Sequence, residues 1–382
     1  MISIVVPTLG RPSLAALLAA LGPLPPEAEL IVVDDRPAPH PPLAIDARVV
    51  AGPARGPAAA RNAGFRAAQG EWIAFLDDDV VPDSDWIMRL TEDLASAGHD
   101  VGGVQGELRV PLPDHRRPTD WERVTAGLAD GAWITADMAY RRAALARCGG
   151  FDERLPRAFR EDADLAYRVR RDGWTLTRGK RRVTHPVRPE SLWVSVRTQR
   201  GNADDALLRR LYGPQWRELL EIPPGRRSRH AAVAAAGFVA LGAALSWGLS
   251  QRGTPGRRGA VARGGFGGVV SRGGLGGAVA RGGLGGAVAR GGLGGRDGVG
   301  SWRSKAAAAT AIGAGLVWAA GTAEFAAARI VPGPRTPREI ATMLVTSTII
   351  PPVAITHWLR GAWRWRGARP LVAAETPVGA SL

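Results

Sequence analysis

Among 382 residues there is a single cysteine, Cys148, so no internal disulfide can form. Beside Gly149 and Gly150 it suits a small packing role. Lysine is almost as scarce. Lys180 and Lys305 are the only two, and arginine supplies the rest of the fifty basic side chains, a bias of coding and not of a tuned site. Acid is missing from one region. Residues 1–225 hold thirty Arg and Lys against thirty-one Asp and Glu, whereas 226–382 hold twenty against four, so the net charge of +15 belongs to the tail. A uniformly basic chain would point to nucleic acid. Here the charge flanks hydrophobic stretches without a recognition motif, which excludes a nucleic-acid partner from the reading and favours anionic lipid headgroups.

What is present concentrates in the amino-terminal half. Residues 71–79 read EWIAFLDDD, an apolar run of buried-strand character that ends in three carboxylates, Asp77, Asp78 and Asp79. Adjacent carboxylates repel, and a hard divalent cation such as Mg²⁺ or Mn²⁺ relieves that repulsion; a solvated acidic turn is the alternative. Ile2–Thr8 and Leu30–Asp35 read as further strands and Arg48–Ala51 as a third, while Ser13–Leu21, Pro57–Ala68 and Asp85–Ala97 read as helices. Alternating strands and helices predict an α/β fold, a mostly parallel sheet with helices on both faces, and such sheets bind ligands beyond the carboxyl ends of their strands.

Four segments in order, VVPTLGR, VVDD, GPAAARNAGFRAAQGEWIAFLDDDVVPDSDW and GGFDERLPRAFREDADLAYRVRRDGW, resemble family 2 glycosyltransferases of the GT-A fold over about residues 1–215. The resemblance implies transfer of a sugar from a nucleoside-diphosphate sugar, with inversion at the anomeric carbon. It places Pro7, Thr8, Arg11, Asp35, Arg61, Asn62 and Asp78 at the nucleotide sugar, with Asp34 an alternative to Asp35. Asp77 and Asp79 match the DxD pair that holds a divalent metal on the diphosphate, and His185 resembles a histidine that completes that site in some relatives. Asp162, the second acid of the ED pair, matches the general base, while Asp137 and Glu161 are candidate acceptor contacts. Local readings stand beside these roles: acids at a helix start are common caps, and a lone histidine is commonly a packing residue. A nucleotidyltransferase of similar fold would carry a Gly-rich, Lys-containing phosphate loop, which VVPTLGRPS lacks; a catalytically inactive nucleotide-sugar-binding scaffold would have lost one of the acid motifs.

The tail predicts membrane association. Ala231–Leu249, Ala306–Ala323 and Ile340–Leu359 approach the roughly 20 residues of a spanning helix, although all are rich in Ala or Gly and Pro351 and Pro352 are expected to kink the last. Between the first two, a nonapeptide of the type AVARGGLGG repeats from Ala260 to Gly295 without acids at calcium-binding spacing, and reads as a linker. The expected organisation is a catalytic domain over 1–225, a hydrophobic or interfacial helix over 226–250, a linker over 251–305, a spanning hairpin over 306–366 and a disordered tail over 367–382. With residues 2–6 already a strand, the catalytic domain is expected on the cytoplasmic face of the cell membrane, acting on a lipid-linked or envelope glycan acceptor. Three spans would put the arginine-rich repeat outside, against the positive-inside tendency, which favours two.

Overall fold

The computed structural model describes residues 1–252 and 296–371. The chain forms two compact units, one of Met1–Ala234 together with the chain from Ala320 onward, the other of Ala235–Ala319.

In the first unit the elements follow as β1 (Ile2–Thr8), α1 (Ser13–Leu21), β2 (Ala28–Asp34), β3 (Arg48–Ala51), α2 (Pro57–Ala67), β4 (Trp72–Leu76), β5 (Val81–Pro82), α3 (Trp86–Ala95), β6 (Val101–Arg109), α4 (Asp120–Ala126), β7 (Asp137–Arg141), α5 (Arg142–Arg147), α6 (Glu161–Arg171), β8 (Thr175–Thr184), α7 (Val194–Arg197), a 3-10 turn (Thr198–Gly201), α8 (Asn202–Tyr212) and α9 (Trp216–Leu219). The sheet order is β3-β2-β1-β4-β7-β6-β8-β5. This is the mostly parallel GT-A arrangement expected, with two antiparallel strands. β3, β2, β1 and β4 are parallel, but β7 runs antiparallel to both β4 and β6, and β5 antiparallel to β8. No helix crosses the sheet between β6 and β7: the chain leaves for the seven-residue α4 and returns at the same end of β6, so β7 must run back.

Alternation along the strands divides the core. Ile4 and Val6 join Leu14, Leu17, Trp86 and Leu90 on one face, while Val5, Ile31 and Val33 join Ala58, Ala60 and Phe75 on the other. β4 is buried at all five positions because helices cover both faces, which is why its sequence is continuously apolar. Its position beside β1 brings the residues after β1, β2 and β4 to one edge of the sheet.

Among the described residues three helices are long and apolar enough to cross a membrane: Arg227–Gln251 within α10 (Arg227–Arg252), Trp302–Ile330 within α11 (Arg296–Ile330), and α12 (Pro337–Arg364). α12 continues through Pro351 and Pro352 as one helix. Its face of Met343, Thr346, Ser347, Ile350, Ala354 and Gly361 is buried, and it packs on α7 and α8. A methyl group on Gly361 would fall 2.6 Å from the Ala203 backbone, so only glycine permits this approach. Arg329, at the end of α11, donates to Asp120 of α4 at 2.8 Å and to Thr346 and Ser347 of α12 at 2.8 and 3.1 Å. Arg226 pairs with Glu324, joining the two stretches of chain from which the first unit is built.

The second unit contains the remainder of α10 and the beginning of α11. Gly237 lies against Trp318, and Gln251 donates to Ser304 at 3.0 Å, so the two segments run antiparallel. Phe238, Leu241, Leu245, Leu249, Ile312 and Leu316 are exposed apolar side chains. Most of the expected linker and tail lies outside the described residues.

Candidate active site

The edge formed by the ends of β1, β2 and β4 borders a cleft of about 310 Å³. Pro7, Thr8, Arg11, Asp35, Arg61, Asp77, Asp78 and Asp79 line it, with Gly56, Pro156 and Arg188. Gly56 precedes α2 with φ +97°, and any side chain there would strike the Pro156 carbonyl, so this wall requires glycine.

The three acids after β4 divide their directions. Asp78 turns to the loop after β1, accepting from Thr8 Oγ1 at 2.7 Å and Arg11 Nη1 at 2.9 Å. Asp77 accepts from Arg61 Nη2 at 2.6 Å. Asp79 lies 3.5 Å from His185 Nε2 and 3.1 Å from Arg188 Nη2. Burial, reinforced by the charge of Asp77, raises the Asp79 pKa, with His185 and Arg188 opposing it.

At the end of β2 the two acids separate by role. Asp34 is bound by Arg36, whose hydrogen bonds hold its carboxyl below the ordinary range. Asp35 lines the cleft, takes the Ala54 and Gly56 amides at 2.6 and 3.1 Å, and has its pKa raised by burial.

The ED pair opens α6 behind Arg160, whose φ of +77° is unusual for a side chain of this size. That turn lets Glu161 accept the Phe159 amide at 2.7 Å with one oxygen and Arg61 Nη1 at 2.8 Å with the other. Burial and the neighbouring Asp162 charge push Glu161 up to about 7. Asp162 is partly exposed; one oxygen takes the Ala163 amide at 2.7 Å, and burial raises its pKa. Arg61 therefore bridges the two acid motifs. Its burial disfavours the charged form, but Asp77 and Glu161 outweigh that cost and keep it a guanidinium.

Among the described residues no group of three or more His, Cys, Asp or Glu side chains is placed to hold a metal unaided. Asp77 and Asp79 nonetheless suit a cation that shares its coordination with a ligand. They lie at one cleft, and Asp79 is a buried carboxylate beside a like charge. Mg²⁺ and Mn²⁺ are commonly held by one or two carboxylates plus substrate phosphates and water, and an imidazole such as His185 is compatible with Mn²⁺.

Residues 3–142 match the family model described as glycosyl transferase family 2. The amino-terminal part of the chain is similar to that family over this stretch. A pre-mycofactocin glycosyltransferase of Mycobacterium tuberculosis is 31% identical over 126 residues, covering 30% of this chain and 26% of that protein. The chain thus matches about a quarter of the length of the curated relatives. Among solved structures, a glucosyl-3-phosphoglycerate synthase from Mycobacterium tuberculosis, in complex with Mn²⁺, UDP and phosphoglyceric acid, is 20% identical with a TM-score of 0.40, covering 59% of this chain and 80% of that one. S. aureus TarS residues 1–349 with UDP-GlcNAc is 16% identical with a TM-score of 0.37, covering 57% and 70%.

Four expected contacts are engaged elsewhere. Asn62 does not line the cleft: it donates to the Phe151 carbonyl and accepts the Phe151 amide, pinning the turn before α6. Arg61 borders the cleft but spends its charge on Asp77 and Glu161, as a strut. Glu161 has both oxygens engaged and is buried, so it does not present itself to an acceptor. Asp137 is likewise buried, accepting from Trp86 Nε1 at 2.9 Å and Arg181 Nε at 2.8 Å. Its partners lie 51 and 44 positions away, beyond any local sequence pattern. Arg188 was missed. The only sequence signal was a second basic residue three positions beyond His185.

Proposed function

We propose that the chain is a membrane-associated, metal-dependent glycosyltransferase that moves a sugar from a nucleoside-diphosphate donor to a membrane-held acceptor with inversion. The observation that carries this reading is Arg61, which ties the acids facing the donor cleft to the acids opening α6 through one guanidinium. Pro7, Thr8, Arg11, Asp35 and Asp78 form the nucleotide side of the cleft. A divalent cation held by Asp77 and Asp79, with His185 beside Asp79, would neutralise the charge that grows on the leaving diphosphate. Asp162 takes the proton from the acceptor hydroxyl as its oxygen attacks the anomeric carbon and the bond to the β-phosphate breaks. A raised pKa suits it to that task, since a base titrating nearer neutrality removes a proton more effectively. One displacement from the face opposite the diphosphate inverts the centre.

The second unit's apolar surface supports membrane attachment through α10 and α11. α12 is less suited to crossing as an isolated span, because α7 and α8 cover its inner face and carry Arg197, Arg209 and Arg210 with them. We therefore assign α12 to the interface and the catalytic domain to the cytoplasmic side, in place of a spanning α11–α12 hairpin.

The test is release of nucleoside diphosphate by detergent-solubilised full-length protein with Mn²⁺, across UDP-, GDP- and dTDP-sugars. Release from one donor, abolished by chelation and by Asp79→Asn, is expected. Saturable donor binding without release would favour an inactive scaffold, and neither binding nor release would sink the glycosyltransferase reading.

A further inference from the structure

Beside the donor cleft lies a second cavity of about 280 Å³, enclosed by α4, residues 187–195 and the first turns of α12. Among the described residues Arg188 alone lines both spaces. Its guanidinium faces Asp79 at 3.1 Å, and its carbonyl accepts Trp121 Nε1 at 3.0 Å. One residue thus separates the second cavity from the candidate metal-binding acid.

The walls offer more hydrogen-bond acceptors than free donors. Asp120, Glu122, Glu190 and Glu339 contribute four carboxylates, against the single guanidinium of Arg188. Arg329, Arg116 and Arg197 pair with the first three, and Glu339 accepts the Asp120 amide at 2.9 Å, so all are held in place with lone pairs to spare. Those arginines spend their donors on the carboxylates, so a phosphate entering here would find Arg188, itself paired with Asp79, as the one cationic lining residue. A neutral polyol would donate hydroxyls to those oxygens and lay its C–H face on Trp121. Ser195 Oγ, buried in the wall without a hydrogen-bond partner, would gain one.

We propose that this cavity seats the acceptor, and that the group seated is an uncharged, hydroxyl-bearing one such as a sugar ring, in preference to a lipid phosphate. The inference rests on the glycosyltransferase reading and narrows its acceptor. α12 forms one wall, so an acceptor held at a membrane surface along α12 reaches the cavity directly, and the acceptor hydroxyl passes Arg188 to meet the donor.

The experiment uses membranes from cells expressing the full chain, supplied with the radiolabelled donor that the nucleotide-sugar panel identifies. A hydroxyl acceptor yields a glycoside, stable to mild acid, whereas a phosphate acceptor yields a glycosyl phosphate, which mild acid cleaves. Mild acid is expected to release no labelled monosaccharide, even where it cuts a phosphate link between acceptor and lipid, and release of the label as the free monosaccharide would overturn the proposal. In Ser195→Trp, which fills the cavity, the ratio of transferred sugar to released nucleoside diphosphate should fall about tenfold or more. An unchanged ratio would overturn the assignment of the cavity while leaving the glycosyltransferase reading intact. No nucleoside diphosphate release by the wild type sinks both. Should Ser195→Trp misfold, the acid stability of the wild-type product still decides.

Discussion

Two buried arginines, each bridging two carboxylates, anchor different regions of the catalytic unit. Arg181 binds Asp137 at 2.8 Å, Asp93 at 3.2 Å and the Val104 carbonyl at 2.7 Å, and the Trp86 indole completes Asp137. Every nitrogen of its guanidinium group has a partner. Arg61 binds Asp77 and Glu161, but its Nε has none, and it borders the cleft. The chemistry is the same and the completeness differs. A closed polar network fixes a structure, while an open one beside a void retains capacity for a ligand.

The sharpest way to break this comparison is to neutralise one acid on each side. Asp162→Asn should lower kcat by about 10²–10⁴-fold, the usual loss with a general base, without lowering the thermal midpoint, because burial already disfavours its charge. Asp137→Asn should do the reverse, costing about 1–3 kcal/mol of stability while activity per folded molecule persists. Retained activity in Asp162→Asn would remove the base from the mechanism.

Truncating the arginines comes next. Arg181→Met should cost about 3–5 kcal/mol by leaving two buried carboxylates uncompensated, read as a fall in thermal midpoint with unchanged donor KM in the surviving folded fraction. Arg61→Met should lose comparable stability and also activity. If both variants lose stability alone, the open hub has no functional distinction.

A pH series probes the open hub more gently. Glu161 is held near 7 in the folded state against an ordinary value of 4.5, so the folded state binds its proton more tightly than the unfolded chain does. The stability it contributes is complete below 4.5 and lost as pH rises to about 7, a decline on the order of 1–3 kcal/mol. Glu161→Gln should flatten that decline in thermal midpoint over the same window. The smallest effect is expected outside both hubs. Thr119→Ala removes the capping box that starts α4 and should cost about 0.5–2 kcal/mol of stability.

Legibility followed the range of the interactions. The run into Asp77–Asp79 was readable because a strand and its terminal acids are contiguous, whereas the face that each of Ile4, Val5 and Val6 takes was not, since all three are apolar. Leu165 and Val169, apolar and four apart, mark a helix whose first residues are the ED pair, so its place was readable. What Asn62 and Asp137 do was not readable, since their partners come from Phe151, Trp86 and Arg181, distant in sequence and joined only by folding. The antiparallel β7 was hidden for a related reason: strand-like composition carries no direction, and direction depended on where α4 went.

The first unit is discontinuous, and its two stretches meet where Arg226 pairs with Glu324, with His230 edge-on to Phe325 nearby. Everything between Ala234 and Ala320 is therefore an excursion with both ends fastened to the same body. Closure entropy grows only with the logarithm of the intervening length, so nine residues more or fewer alter it by about 0.1 kcal/mol. A change in the length of that excursion therefore costs the first unit almost nothing in closure entropy.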